Sequence, residues 1–210
     1  IAPFPIPEAY QGLNAFAIGM REVNPDAEIM VIWANTWKDP VKEADSAKVL
    51  VAQGADVMAQ HVDTPAMLQI AQKEGVHGFG QASDMKEFAP DAQLFSSVND
   101  WAPYYIQKIQ QVLDGTWTTG EGPDHWAGNT WKGMADNYLV LTNFENMPAD
   151  VKLAAQKAAD KVQSGYNIFT GPIKDNKGNI VIKAGDSLDD GRLWSDVFFY
   201  AEGIQGEMPG

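Results

Sequence analysis

The chain contains no cysteine. Disulfide bonds and thiol chemistry are therefore excluded, while either side of a bacterial inner membrane stays open as its location. Basic residues are scarce: 15 Lys and Arg against 28 Asp and Glu leave a net charge of −13. That charge repels a phosphate backbone and an anionic membrane surface, and no basic run offsets it, so nucleic acid is not an expected partner. No apolar run approaches the length of a membrane span, and no charged-then-apolar leader opens the sequence. The first residue is Ile1 and not Met, which points to processing, trimming or an incomplete chain.

Catalytic signatures are absent from the sequence as well. No G-x-S-x-G elbow and no Walker loop occurs. Gly78-Phe79-Gly80 is half of a dinucleotide fingerprint, but Ser83 stands where the third glycine belongs. His61, His77 and His125 have no metal-ligand spacing among themselves, so each reads as a single structural or surface histidine. No cofactor and no metal is expected, and an enzyme is the least supported class.

What is present is an ordinary core-forming composition, 45% hydrophobic over 210 residues, enough for one large domain or two small ones. The most informative stretch is IMVIWANTWKD, Ile29 to Asp39. Its continuous apolar run from Ile29 to Trp33 predicts a strand buried on both faces, as parallel strands covered by helices are. The run ends at Asn35, and Asp39 followed by Pro40 fits the N-cap and first position of a helix. Trp37 lies in the turn between, past the carboxyl end of the sheet, the edge where open α/β folds bind ligands. It is a candidate stacking platform, or else it packs back onto its own helix.

Strand and helix patterns alternate around that stretch from residue 1 to about 115. IAPFP reads as the tail of a strand. Ala9, Leu13, Phe16, Ala17, Met20 and Val23 recur at helical spacing until Asn24-Pro25 stops them. Val41, Ala44, Ala47, Leu50 and Val51 mark the next helix, closed by Gly54, and residues 56–62 a strand. A short helix with Met67, Ile70 and Ala71 inward ends at Gly75, and residues 76–82 and 93–98 are strands. Tyr105, Ile106, Ile109, Val112 and Leu113 make an amphipathic helix that Gly115 ends. The prediction is an α/β fold with a parallel sheet and helices on both faces. The pattern breaks between Trp117 and Lys132, a Gly-, Thr- and Trp-rich loop or crossover in which Trp126 and Trp131 either pack a hinge or grip a sugar. Beyond it come a strand at 138–142, a helix from Pro148 with Val151, Ala154, Ala155, Ala158 and Val162 on one face, a hairpin about Asn176-Lys177-Gly178, and an aromatic tail. Residues 1–116 thus read as the βα units of one lobe, and 117–210 as crossover segments, helix, hairpin and tail, with a partner lobe missing.

The loops at the carboxyl ends of the strands hold Trp37 and Asp39, then Asp63 and Thr64, then Gln81, Ser83 and Asp84, then Asn99, Asp100 and Trp101. Carboxylates and amides there suit a ligand with several N–H or O–H groups, and indoles suit a flat ring. Asp39 and Asp100 read as helix caps. Asp63 and Asp84 read as ligand contacts, against the alternative that they too only cap helices.

The segments ANTWKDP, QGADVMAQHVDTP, GFGQASDM, FSSVNDW and GPIKDNKGNIVIKAG with FFYAEGIQGEMPG follow one another over nearly the entire chain. Together they resemble the basic-membrane-protein family of periplasmic solute-binding proteins, in its PnrA-like, purine-binding branch. The resemblance implies a two-lobed type I periplasmic-binding-protein fold, in which this chain begins at the second lobe and lacks most of the first. It implies the substrate-binding component of an ABC importer, in the periplasm or lipid-anchored at the extracytoplasmic membrane surface, with an ABC permease as partner and a purine as ligand. It places Trp37 where the family stacks an aromatic on the purine, and Asp84 where an acidic residue bonds ribose or base. Asp63-Thr64-Pro65 replaces a Gly-rich turn near the ribose, and Asn99 a lysine that reaches the sugar. Both departures weaken a sugar site and favour a free, adenine-like base over a nucleoside, with Asp63 accepting from an exocyclic amine beside Gln81 and Trp101; Phe4 completes the candidate ligand-binding set. Two readings stand beside this one: a sugar-binding protein of the same fold, since tryptophan also stacks on pyranose faces, and the effector domain of a transcription regulator, which the acidic charge and the lack of a basic helix-turn-helix disfavour.

Overall fold

Residues 29–34 alternate between two cores, which is why their sequence is apolar without interruption. Met30, Ile32 and Ala34 pack with Ala47 and Leu50 of α2 (Pro40–Ala52) and with Met67, Leu68 and Ala71 of α3 (Ala66–Glu74). Ile29, Val31 and Trp33 pack with Tyr10 and Ala17 of α1 (Pro7–Val23) and with Phe169, Ile173, Ile182, Val197 and Ile204 from the C-terminal region. The structure is a computed structural model that describes residues 1–117 and 131–209; the stretch that holds His125 and Trp126 lies outside the described residues.

The sheet is mostly parallel. β1 (Val57–Met58) pairs in parallel with β2 (His77–Ala82), and β2 with β3 (Gln93–Asn99), while β4 (Leu139–Leu141) runs antiparallel to β3. Extended backbone continues it past β1. The Ile1 N-terminal nitrogen donates to Ala59 O at 2.7 Å and His61 N donates to Ile1 O at 2.9 Å. Ala2 N donates to Ile32 O at 2.9 Å, and Ala34 N to Ala2 O at 2.8 Å. Residues 1–2 therefore lie between 29–34 and 57–61, and Ile29 in turn bridges in parallel to Ile204. The chain leaves 1–2 toward one side and returns to the other, so the loops after 1–2 and after 57–61 flank a topological switch point.

The C-terminal region is built onto the α1 side. β5 (Ile173–Lys174) and β6 (Ile180–Ile182) form the expected hairpin about Asn176-Lys177-Gly178, with Gly178 at φ 85°. Fully buried Asn14 fastens α1 to the tail: its Nδ2 donates to Val197 O at 3.1 Å and Phe199 O at 2.9 Å, and its Oδ1 accepts from Ala201 N at 3.0 Å. A buried amide needs such partners on both its ends. Gly78-Phe79-Gly80 lies inside β2, where a Cβ on Gly80 would come within 1.9 Å of Ser96 Oγ, so these glycines serve strand packing and not a phosphate turn.

Three helix faces differ from the sequence expectation. In α2 the exposed residue is Val41 and the buried one Glu43, because hydrogen-bond partners for its carboxylate await it inside. In α5 (Ala149–Gln163) Ala155 and Ala159 are half-buried while Val151 and Val162 are exposed, so the inward face is rotated from the predicted one. α4 (Ala102–Leu113) forms between Trp101 and Gly115 as expected, yet its stripe Tyr105, Ile106, Ile109, Val112 and Leu113 is 58–74% exposed. Periodicity and a proline in the first turn suffice to make the helix, but burial of the stripe requires a neighbour.

Candidate functional site

Trp37 sits in a turn that is pinned from both ends. Asn35 before it takes a left-handed φ of 52°, which an asparagine tolerates. Asp39 after it caps α2, its Oδ1 accepting from Val41 N and Lys42 N at 3.1 Å each, with Pro40 at the first helical position as the sequence predicts. The turn is also tied sideways to the loop that follows 57–61. Asp63 N donates to Trp37 O at 2.9 Å. Glu43, with no exposed surface, accepts from Asp39 N at 3.1 Å through Oε1 and from Thr64 N at 3.2 Å through Oε2, which also receives the Thr64 hydroxyl. A buried carboxylate held by several donors is a rigid fastener, since any relaxation would strand a charge.

The indole is 37% exposed, and its aromatic neighbours come from segments other than α2. Its ring centroid lies 5.8 Å from Phe4 at 59° and 6.1 Å from His61 at 68°. Phe4 belongs to the loop after 1–2 and His61 ends the segment 57–61, so the aromatic group straddles the switch point. Glu8, in the first turn of α1, places Oε1 3.5 Å from His61 Nε2. Of the sequence-predicted residues, the structure thus brings Phe4, Trp37 and Asp63 together. It adds His61, Glu8 and Glu43, which sequence reasoning missed. The available signal for His61 and Glu8 was position: one ends the third extended segment, the other opens the first helix, both on the edge already singled out.

The other candidates lie apart from this cluster. β2 ends at Ala82, whose φ of 63° turns the chain back across the sheet. Asp84 Oδ1 accepts from Gln93 Nε2 at 2.9 Å and from Lys86 N at 3.0 Å, so it caps the next turn and faces the start of β3. It borders a hollow of about 300 Å³ lined also by Lys86, Gln93, Leu141, Thr142, Asn143 and Glu145. Beneath, Ser96 Oγ donates to Gln93 Oε1 at 2.9 Å and accepts from Met85 N at 3.2 Å. Gln81 is half-buried near the end of β2, with no side-chain hydrogen bond among the described residues. Trp101 is 57% exposed, with Tyr105 its ring neighbour at 6.4 Å. Asp100 lies one residue before the Trp101 N-cap of α4, and its Oδ1 accepts from Ala102 N at 3.0 Å. Trp131 meets Trp194 at 4.5 Å, packed edge to face. Among the described residues no cluster of His, Cys, Asp and Glu could hold a metal ion, and no helix is long and apolar enough to cross a membrane.

A partly exposed aromatic group at a topological switch point lies on the edge where open α/β sheets bind ligands. Known proteins agree with that architecture. A purine-binding protein of Brucella abortus is 45% identical over 210 residues, all of this chain and 57% of that protein. A relative from Haloferax volcanii, provisionally named as an ABC transporter glucose-binding protein, is 31% identical over 211 residues, all of this chain and 49% of its own length. The chain therefore spans about half the length of these relatives. A solved ABC transporter solute-binding protein from Conexibacter woesei superposes with a TM-score of 0.56 at 18% identity, over 76% of this chain and 52% of that one, a likeness of fold alone. The family model described as ABC transporter substrate-binding protein PnrA-like matches residues 1–177, and the chain accordingly belongs to this Bmp family of substrate-binding proteins.

Proposed function

We propose that the protein serves an ABC importer outside the cytoplasm, free or lipid-anchored, by binding a purine nucleobase, adenine-like in preference to a nucleoside. The observation that carries this reading is the half-exposed indole of Trp37, braced by Asp39, Glu43 and the Asp63 backbone and flanked by Phe4. A rigid aromatic face of this kind binds a flat heterocycle at little entropic cost, because neither turn nor ring has to be ordered on association. Asp63 accepts from the exocyclic amine beside the platform, while Gln81, Asp84 and Trp101 stand apart from it on the segments that end β2 and β3. The purine-binding relative in Brucella abortus supports the ligand class. Closure of a second lobe over the stacked ring then presents the loaded protein to the permease, with no bond made or broken.

A second reading has its own support. The Haloferax volcanii relative is named for glucose, and an indole also fits the apolar face of a pyranose. Calorimetry of the full-length protein with adenine, adenosine, inosine, glucose and pentoses separates the two. Adenine binding tighter than either nucleoside, weakened about ten- to hundred-fold by Trp37→Ala, is the expected result. Inosine or adenosine binding far tighter than adenine would overturn the free-base assignment, and binding of glucose alone would overturn the purine class.

A further inference from the structure

Two polar side chains near Trp37, Glu8 and His61, have only each other as a charged or polar side-chain partner among the described residues. Glu8 Oε1 and His61 Nε2 face each other at 3.5 Å, longer than a hydrogen bond, and both side chains are partly open to solvent. Among the described residues neither side chain makes a hydrogen bond. The imidazole is set edge-on against the Trp37 indole, and its Nδ1 side abuts α1 at Gly12, where an added Cβ would lie 3.4 Å away. Ring orientation is therefore decided by packing, and it directs Nε2 toward Glu8.

The result is a carboxylate acceptor and an imidazole nitrogen side by side at the border of a stacking platform. We propose that Glu8 and His61 read the edge of the stacked base: Glu8 accepts one N–H of the exocyclic amine of an aminopurine, and His61 Nε2 hydrogen-bonds the adjacent ring nitrogen. The inference rests on the purine reading above and narrows it. Adenine offers an amine donor beside the N7 acceptor on this edge, whereas guanine and hypoxanthine offer O6 and N7, two acceptors. A carboxylate opposite O6 has no proton to share, so the pair selects for the amine and against the oxo group. The amine has two N–H groups, and Asp63 takes the second.

The test is a titration of the full-length protein and its Glu8→Gln, His61→Phe and Trp37→Ala variants with adenine, hypoxanthine and unsubstituted purine, alongside ligand-free thermal melts. Adenine is expected to bind the unaltered protein at least about ten-fold tighter than hypoxanthine, as loss of a hydrogen bond to a charged group implies. Glu8→Gln should weaken adenine about ten- to hundred-fold and leave unsubstituted purine nearly unchanged. It should also collapse the adenine-to-hypoxanthine ratio, because the glutamine amide can turn its N–H toward O6. His61→Phe keeps a ring against Trp37 and should cost adenine about five- to ten-fold. If Glu8→Gln and His61→Phe retain the original affinities and selectivity while Trp37→Ala weakens binding about ten- to hundred-fold, the pair does not read the base and the purine reading survives alone. If Glu8→Gln weakens all three ligands equally and lowers the melting temperature, its role is structural and the inference is overturned. Failure of every purine to bind the unaltered protein would remove the purine reading itself.

Discussion

Two stretches of this chain have nearly the same local script. NTWKDP and NDWAP each end an extended segment, carry a tryptophan and a capping aspartate, and open a helix with proline in its first turn. Locally they are alike: Asp39 caps α2, and Asp100, one residue before the N-cap of α4, accepts from Ala102 N. In three dimensions they part. α2 buries Glu43, Ala47 and Leu50, and the tryptophan before it has Phe4 and His61 as ring neighbours. α4 buries none of its residues, and Trp101 touches only its own helix among the described aromatic pairs. The difference lies in cross-loop fastening. The Trp37 turn is bonded to the 62–65 loop through Asp63 N and the buried carboxylate of Glu43, whereas the Trp101 turn has the backbone bond of Asp100 N to Tyr138 O at 2.8 Å and, among the described residues, no buried carboxylate beneath it.

The sharpest way to break that contrast is to cut the fastener. Glu43→Ala should destabilise the protein by about 3 kcal/mol, read as a lowered urea midpoint at unchanged slope, since it strands the Asp39 and Thr64 N–H groups and opens a cavity. A change below 1 kcal/mol would mean the two loops hold their positions without it.

Next in size is the pair of tryptophans. Trp37→Ala should weaken ligand binding about ten- to hundred-fold, while Trp101→Ala should cost only a few-fold. Equal losses in a calorimetric titration would erase the distinction between the two stretches. Smaller again, Asp39→Ala should lower stability by about 1 kcal/mol through loss of the cap, measured by chemical denaturation.

Ala82→Gly should work in the opposite direction and stabilise by about 0.5 kcal/mol. Relief of the left-handed φ, worth about 1–2 kcal/mol, exceeds the added chain entropy of glycine. At the small end, Ile109→Lys on the open α4 stripe should shift stability by less than about 0.5 kcal/mol and raise solubility, which a melt and a precipitation assay would show. A large destabilisation there would show that α4 is covered in solution.

Much of the fold was legible because it is written in local pattern. The run Ile29 to Trp33, the Asp39-Pro40 cap, Gly75 in the left-handed region and the Asn176-Lys177-Gly178 hairpin each depend on residues a few positions apart. Trp37 could be picked out because a large apolar ring in a polar turn needs a reason. Glu43 could not, since a glutamate four residues into a helix reads as solvated until a partner 21 residues away is known to meet it. His61 was discounted for want of metal spacing, yet its neighbours come from α1 and the Trp37 turn. Asp84 has two readings in sequence, and in the structure its Oδ1 accepts from Gln93 Nε2, nine positions on, as well as from the nearby Lys86 N.

By itself the sequence determined the order and type of most elements and the largely parallel sheet, because short-range sterics, capping and periodicity set these. The segments 1–2, 29–34 and 57–61 become neighbours only through hydrogen bonds between residues about 30 to 60 positions apart. The tertiary structure alone decided that Phe4, Glu8, Trp37, His61 and Asp63 come together, that Glu43 ties the Trp37 turn to the 62–65 loop, and that the stripe of α4 stays open. These depend on which long-range partners are within reach to satisfy a buried charge or cover an apolar face, and no local pattern encodes that.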